Sequence, residues 1–93
     1  MKRVIRTQSY LDDLNQIEAY IRAKGMPQAA TDLWLHIDDQ VEKLSDPNHP
    51  RRKGHIVTNA MELVAHENYV VIFDEDAITI TVWNVIHVKK KNP

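Results

Sequence analysis

The stretch from Met61 to Lys91 constrains this chain more than any other. Three apolar or β-branched runs, Met61–Ala65, Tyr69–Phe73 and Ile78–Ile86, are separated by the short polar breaks His66-Glu67-Asn68 and Asp74-Glu75-Asp76. Strand-length runs joined by breaks this short form consecutive antiparallel hairpins, so the last third is expected to be a small meander. Tyr69–Phe73 is apolar at every position, which suits a central strand covered on both faces. The next run alternates. Ile78, Ile80 and Val82 are assigned to a helix-packed face, while Thr79, Thr81, Trp83 and Val85 point the other way, so that Trp83 and Val85 make an apolar patch. With Asp74–Ala77 as the turn, Phe73 lies opposite Ile78 and Tyr69 opposite Val82. His66, Glu67 and His87 then share one rim.

The rest is material to lay against that sheet. Residues 2–6, around Val4 and Ile5, read as a short first strand. Thr7 or Ser9 offers a helix cap, and Leu11, Leu14, Ile17 and Ile21 follow at helical spacing, with Tyr10 and Tyr20 flanking the stripe. Gly25 suits the exit of this helix and Pro27 the first turn of a second. Ala30, Leu33, Trp34, Ile37, Val41 and Leu44 share one face of the second helix, with His36 beside the stripe as a partly buried structural residue. Two helices joined this tightly run antiparallel and need the sheet to cover their apolar faces. Residues 47–55 form a loop, and Ile56 and Val57 begin another strand. The expected fold is a single α+β domain over residues 1–93: an N-terminal strand, then a helical hairpin packed on a C-terminal antiparallel meander.

Several function classes are excluded or weakened. The chain has 93 residues, no cysteine and no apolar run of membrane-spanning length, so a cytoplasmic protein without disulfides or thiolate metal sites is expected. The net charge of −1 argues against a protein that coats nucleic acid. Acids crowd residues 10–46, while bases gather at Lys2/Arg3/Arg6, Arg51/Arg52/Lys53 and Lys89/Lys90/Lys91. His49, His55, His66 and His87 lack the helical spacing and convergent carboxylate of a metal site, and no metal or other cofactor is expected. There is neither a glycine-rich phosphate loop nor a serine or cysteine nucleophile motif.

The whole pattern resembles the RelE/ParE superfamily of toxins from bacterial type II toxin–antitoxin modules, and most of all its ParE, or plasmid-stabilisation, branch. The resemblance rests on Asp13–Ile21 in the first helix, on Ala29-Ala30 opening the second, on Glu62-Leu63-Val64-Ala65-His66-Glu67-Asn68-Tyr69, and on Asn84-Val85-Ile86-His87 followed by bases. It implies a small antitoxin as partner, with a toxin–antitoxin hetero-oligomer as the assembly. For the ParE branch it implies inhibition of DNA gyrase by binding, and for the RelE branch cleavage of mRNA on the ribosome. Val70 stands after Tyr69 where RelE-like toxins commonly carry arginine, and the tail Lys89–Pro93 has no aromatic residue. Met61 stands where ParE-like chains commonly carry arginine.

On the gyrase reading, the target-binding candidates are Arg51, Arg52, Lys53, His87, Lys89, Lys90 and Lys91, with Trp83 and Val85 toward the antitoxin. On the ribonuclease reading, His66 and His87 serve as base and acid, with Lys89 or Arg52 as the cation for the developing phosphorane charge. A third reading is an inactive relative that only binds antitoxin.

Overall fold

A computed structural model describes residues 1–89. Its elements run β1 (Arg3–Arg6), α1 (Gln8–Ala23), α2 (Pro27–Glu42), a 3₁₀ turn (Lys43–Ser45), β2 (Arg52–Lys53), β3 (Met61–His66), β4 (Tyr69–Glu75) and β5 (Thr79–His87). The five strands make one sheet in the order β1-β5-β4-β3-β2. β2, β3, β4 and β5 pair antiparallel, as a meander must. β1 joins β5 in parallel, so the sheet is mixed. β4 is the central strand, and all five residues from Tyr69 to Phe73 are buried.

The helix boundaries follow local chemistry. Thr7 caps α1: its hydroxyl accepts from Tyr10 N and donates to the Val82 carbonyl, tying the helix start to β5. Ser9 is therefore inside the helix, and its hydroxyl accepts from Asn84. Gly25, at φ 83°, closes α1 in the left-handed conformation, and Pro27 opens α2. The apolar stripes meet the sheet in one core of Tyr10, Leu14, Ile37, Val41, Leu44, Leu63, Val71, Phe73, Ile80 and Val82, with others at its margin. Tyr10 is not a flanking residue. It is fully buried and donates to Asp38 Oδ1 at 2.8 Å, while Arg6 grips the same carboxylate at 2.8 Å.

Three expectations about register are corrected. Phe73 lies opposite Val82, and Tyr69 lies opposite His87, because the turn runs through Asp76–Ile78 and is held by Asp76 Oδ1 accepting from the backbone of Ile78 and Thr79. Ile78 is therefore in the turn and 75% exposed rather than on the helix face. Second, Ile72 pairs with Asn84 and Phe73 with Val82, so Trp83 is an extra, bulged residue. The bulge re-phases the strand. Val85 consequently turns back under α1 and joins the core at 7% exposure, while Trp83 stays 42% exposed and donates to Asp74 across the other face. The two do not form one patch. Third, the additional strand is Arg52–Lys53, and Ile56 and Val57 lie in the loop after it.

Among the described residues, no helix is long and apolar enough to cross a membrane.

Candidate functional site

The rim at the β3–β4 turn gathers aromatic and imidazole rings. His66 lies opposite Tyr69 on β4, and Tyr69 lies opposite His87 on β5. The centroid separations are 5.8 Å from His66 to Tyr69 and 4.9 Å from Tyr69 to His87. The row extends to α2, where His36 meets His66 edge-on at 6.3 Å. His36 is more exposed than its sequence position suggested, but it is not idle. Its Nε2–H donates to the Ala65 carbonyl at 2.8 Å, a group left free where the β3–β4 register slips between Val64 and His66. A groove of about 200 Å³ runs beside the row, lined by Asp13, Ile17, Tyr20, Tyr69, Val85 and His87, among others. Burial, with the neighbouring Tyr20 adding to it, raises the Tyr69 phenol above its ordinary range.

The two rim histidines are tied down in the same way. His66 Nδ1 accepts from Asn68 N and His87 Nδ1 from Lys89 N, each at 3.1 Å. With Nδ1 occupied as an acceptor, the neutral ring carries its proton on Nε2 and offers a donor outward. In this tautomer neither ring presents a free lone pair for abstracting a proton, and the Tyr69 ring stands between them. Asn68 also accepts from Val88 through its carbonyl, and its side-chain Oδ1 is a buried acceptor without a hydrogen-bond partner among the described residues.

The basic cluster at Arg51–Lys53 divides into unlike parts. Arg51 is a brace: its side chain is 9% exposed, bonds Glu75 at 2.9 Å and donates to the carbonyls of His49, Leu44 and Asp46. Lys2 holds the same Glu75 carboxylate at 2.7 Å. Burial pushes the Glu75 carboxyl up, but the two cations outweigh it and hold it below its usual range. Arg52 donates to Glu62 at 3.0 Å while keeping much of its length in solvent. Lys53 and Lys89 are exposed. Lys90 and Lys91 lie outside the described residues.

Glu62 is the residue that sequence reasoning missed. It is fully buried, on the sheet face away from the helices, opposite Ile72. Its Oε2 accepts from His55 N at 2.8 Å and Ile56 N at 2.6 Å, and Oε1 accepts from Arg52. Burial raises its carboxyl, yet these donors prevail and hold it below the usual carboxylate range. The signal was present as a lone acid between Met61 and Leu63 in an apolar run. Among the described residues, no group of three or more His, Cys, Asp or Glu side chains is placed to hold a metal ion.

The fold has a counterpart among solved structures. A solved structure described as the chromosomal ParDE TA system from P. aeruginosa superposes with a TM-score of 0.80 over 95% of this chain and 97% of that one, at 19% identity, which speaks for the fold. No curated protein sequence matches the chain. The model of the family described as ParE toxin of type II toxin-antitoxin system, parDE, matches residues 4–91, nearly the whole chain. The chain therefore belongs to the ParE toxin family of type II toxin–antitoxin systems.

Proposed function

We propose that this ParE-family toxin acts by binding rather than by cleaving, with DNA gyrase as its target, and that a cognate antitoxin neutralises it. The observation that carries the reading is how the candidate catalytic groups are employed. Metal-free RNA cleavage needs a base with a free lone pair and a cation able to follow the developing charge. His66 and His87, the candidate base and acid, both spend Nδ1 on backbone N–H groups, while Lys89, one of the two candidate cations, is exposed. Arg52 is engaged by Glu62. With neither histidine offering a free lone pair as base, recognition by shape and surface charge is the reading these contacts support.

On this reading the antitoxin covers the outer side of the helical hairpin. Leu35 is 57% exposed there, beside a groove of about 270 Å³ lined by Asn15, Glu18, Thr31, Trp34 and Leu35. An amphipathic or extended segment that orders on binding would cover this strip. Trp83, exposed on the opposite sheet face, is a second contact; Val85, buried under α1, is not.

The test is a supercoiling assay with purified gyrase, run beside a translation reaction whose mRNA is mapped by primer extension. Loss of supercoiling with intact mRNA is expected, and His66→Ala and His87→Ala variants should retain it. Codon-phased mRNA cuts with gyrase untouched would overturn the proposal in favour of the ribonuclease reading.

A further inference from the structure

We infer that the rim around Tyr69 is a proton-operated clasp: His66 and His87 fix the β3–β4 turn and the exit of β5 only while their rings are neutral, and mild acid releases the Val88–Lys89 exit. The device belongs to the fold and does not depend on which protein the toxin inhibits.

One short motif recurs along the chain, a side chain that accepts from the backbone N–H two residues on. Asp46 Oδ1 accepts from Asn48 N at 2.9 Å, and Asp76 Oδ1 from Ile78 N at 3.0 Å. Aspartate is the usual residue for such a turn. At the rim the acceptor is an imidazole instead: His66 Nδ1 takes Asn68 N and His87 Nδ1 takes Lys89 N, each at 3.1 Å. The two chemistries respond differently to acid. The Ile78 and Thr79 N–H groups hold the Asp76 carboxyl below its ordinary range, so that turn keeps its bonds in mild acid. Imidazole Nδ1 has one lone pair, and protonation removes it, leaving two N–H donors face to face. The histidine bonds are therefore present while the rings are neutral and are lost as they charge, a change that belongs between about pH 8 and 5.

The two clasps meet at one junction. His66 holds the N–H of Asn68, the Asn68 carbonyl accepts from Val88 N at 2.9 Å, and His87 holds the N–H of the next residue, Lys89. Releasing either ring loosens the same junction. Asn68 also carries the buried Oδ1 without a hydrogen-bond partner among the described residues. An acceptor for a charged His66 ring is thus present on the residue whose N–H that ring gives up, which is the second arrangement a switch needs.

The groups that face the two rings come from every element around them. From α2, His36 meets His66 at 6.3 Å; its Nε2–H donates to the Ala65 carbonyl, a bond that outlives protonation because the donor is kept. From β4, the Tyr69 ring packs against both rings, and burial keeps its phenol neutral across this range. From α1, Asp13 and Tyr20 line the groove with Tyr69 and His87, and the Asp13 carboxylate already accepts from Val85 N and the Asn84 amide. Glu67 in the turn and Lys89 after β5 are exposed. Asp13 and Glu67 are the anions of this rim; Lys89 and a charged His36 add positive charge to it.

The test is an NMR titration of the whole chain from neutral to mildly acid pH, following the imidazole resonances together with amide exchange corrected for its intrinsic pH dependence. Protection of the Val88 amide should fall at least about tenfold as His66 and His87 charge, while Ile78 and the β4 amides keep theirs. Asparagine places a carbonyl oxygen near the position of Nδ1 and does not titrate. A variant carrying His66→Asn and His87→Asn should therefore hold Val88 equally well at both ends of the titration. If that variant fails to fold, His66→Asn and His87→Asn made singly should each flatten part of the response. Imidazoles that charge while Val88 stays protected would overturn the inference. So would rings that remain neutral until the sheet unfolds, or asparagine variants that lose Val88 protection in acid as wild type does.

Discussion

Replacing Glu62 by glutamine separates the charge of the buried carboxylate from its shape. Glutamine can keep its carbonyl where Oε2 receives His55 N and Ile56 N, but its amide then faces the Arg52 guanidinium, donor against donor. Converting two charge-assisted bonds to neutral ones loses about 1 kcal/mol each. The Arg52 contribution is smaller, roughly 0–1 kcal/mol, because its side chain is 46% exposed and screened by solvent. The sum is about 2–3 kcal/mol at pH 7, or roughly 10–20 °C in melting temperature for a domain of this size. The wild-type carboxyl is held below its ordinary value of 4.5 in the fold. Its stabilisation is therefore complete above that value and is lost as the pH falls through the lowered folded value, at up to about 1.4 kcal/mol per pH unit. Glu75 titrates in both proteins in the same direction and cancels in the comparison. Urea denaturation of both proteins at several pH values between 7 and 3 reads the margin directly. A margin that does not shrink in acid, or a variant as stable as wild type at pH 7, would refute the reasoning.

Two further substitutions probe neighbouring claims. Gly54→Ala places a methyl group where the Val57 and Ala60 carbonyls stand, so the loop should open without unfolding the sheet; amide exchange at His55 and Ile56 should quicken at least about tenfold, ~1.4 kcal/mol, while the β4 amides keep their protection. Tyr10→Phe removes the hydroxyl that donates to Asp38, whose carboxylate keeps Arg6, and should cost about 1–2 kcal/mol by thermal melting. Burial, then the Asp38 contacts, push the Tyr10 phenol well above its ordinary 10, so wild type should lose stability as the pH rises past about 10, where the unfolded chain ionises first, and the Phe variant should lose less.

The elements were legible because they rest on local rules. The 3.6-residue stripe of α2, Gly25 after α1 and Pro27 before α2 each fix one feature through nearest neighbours, and each is found in place. The two-residue alternation of β5 was legible only as far as Val82. Beyond it Trp83 is inserted as a bulge, and nothing in Val82-Trp83-Asn84-Val85 announces the slip. Its cause is tertiary: Asp13 of α1 accepts from Val85 N and from the Asn84 amide at the edge that β1 leaves uncovered, so the strand must bend to meet the helix. The shared rim of His66 and His87 survived a wrong register because the turn length alone places His66 beside Tyr69, and β5 is long enough to reach it. Arg51 misled for the opposite reason. An arginine between proline and a second arginine reads as solvent charge, yet it supplies donors to three carbonyls that the chain leaves open after α2.

That misreading bears on function. In a small chain, polar groups have two competing uses, and a group locked into several fixed bonds is poorly suited to change partners during a reaction. Arg51, Glu62, Glu75 and Asp38 all lie on the structural side of that division. Outward lie apolar side chains such as Ile56, Val57, Trp83 and Leu35, among exposed charges of both signs such as Lys53, Asp39 and Glu67. Exposed apolar residues set among charges have the composition of contact surfaces. A toxin built this way should be disabled by changing side chains at its surface while its buried carboxylates stay intact, and changes to those carboxylates should act first on stability and only through it on toxicity.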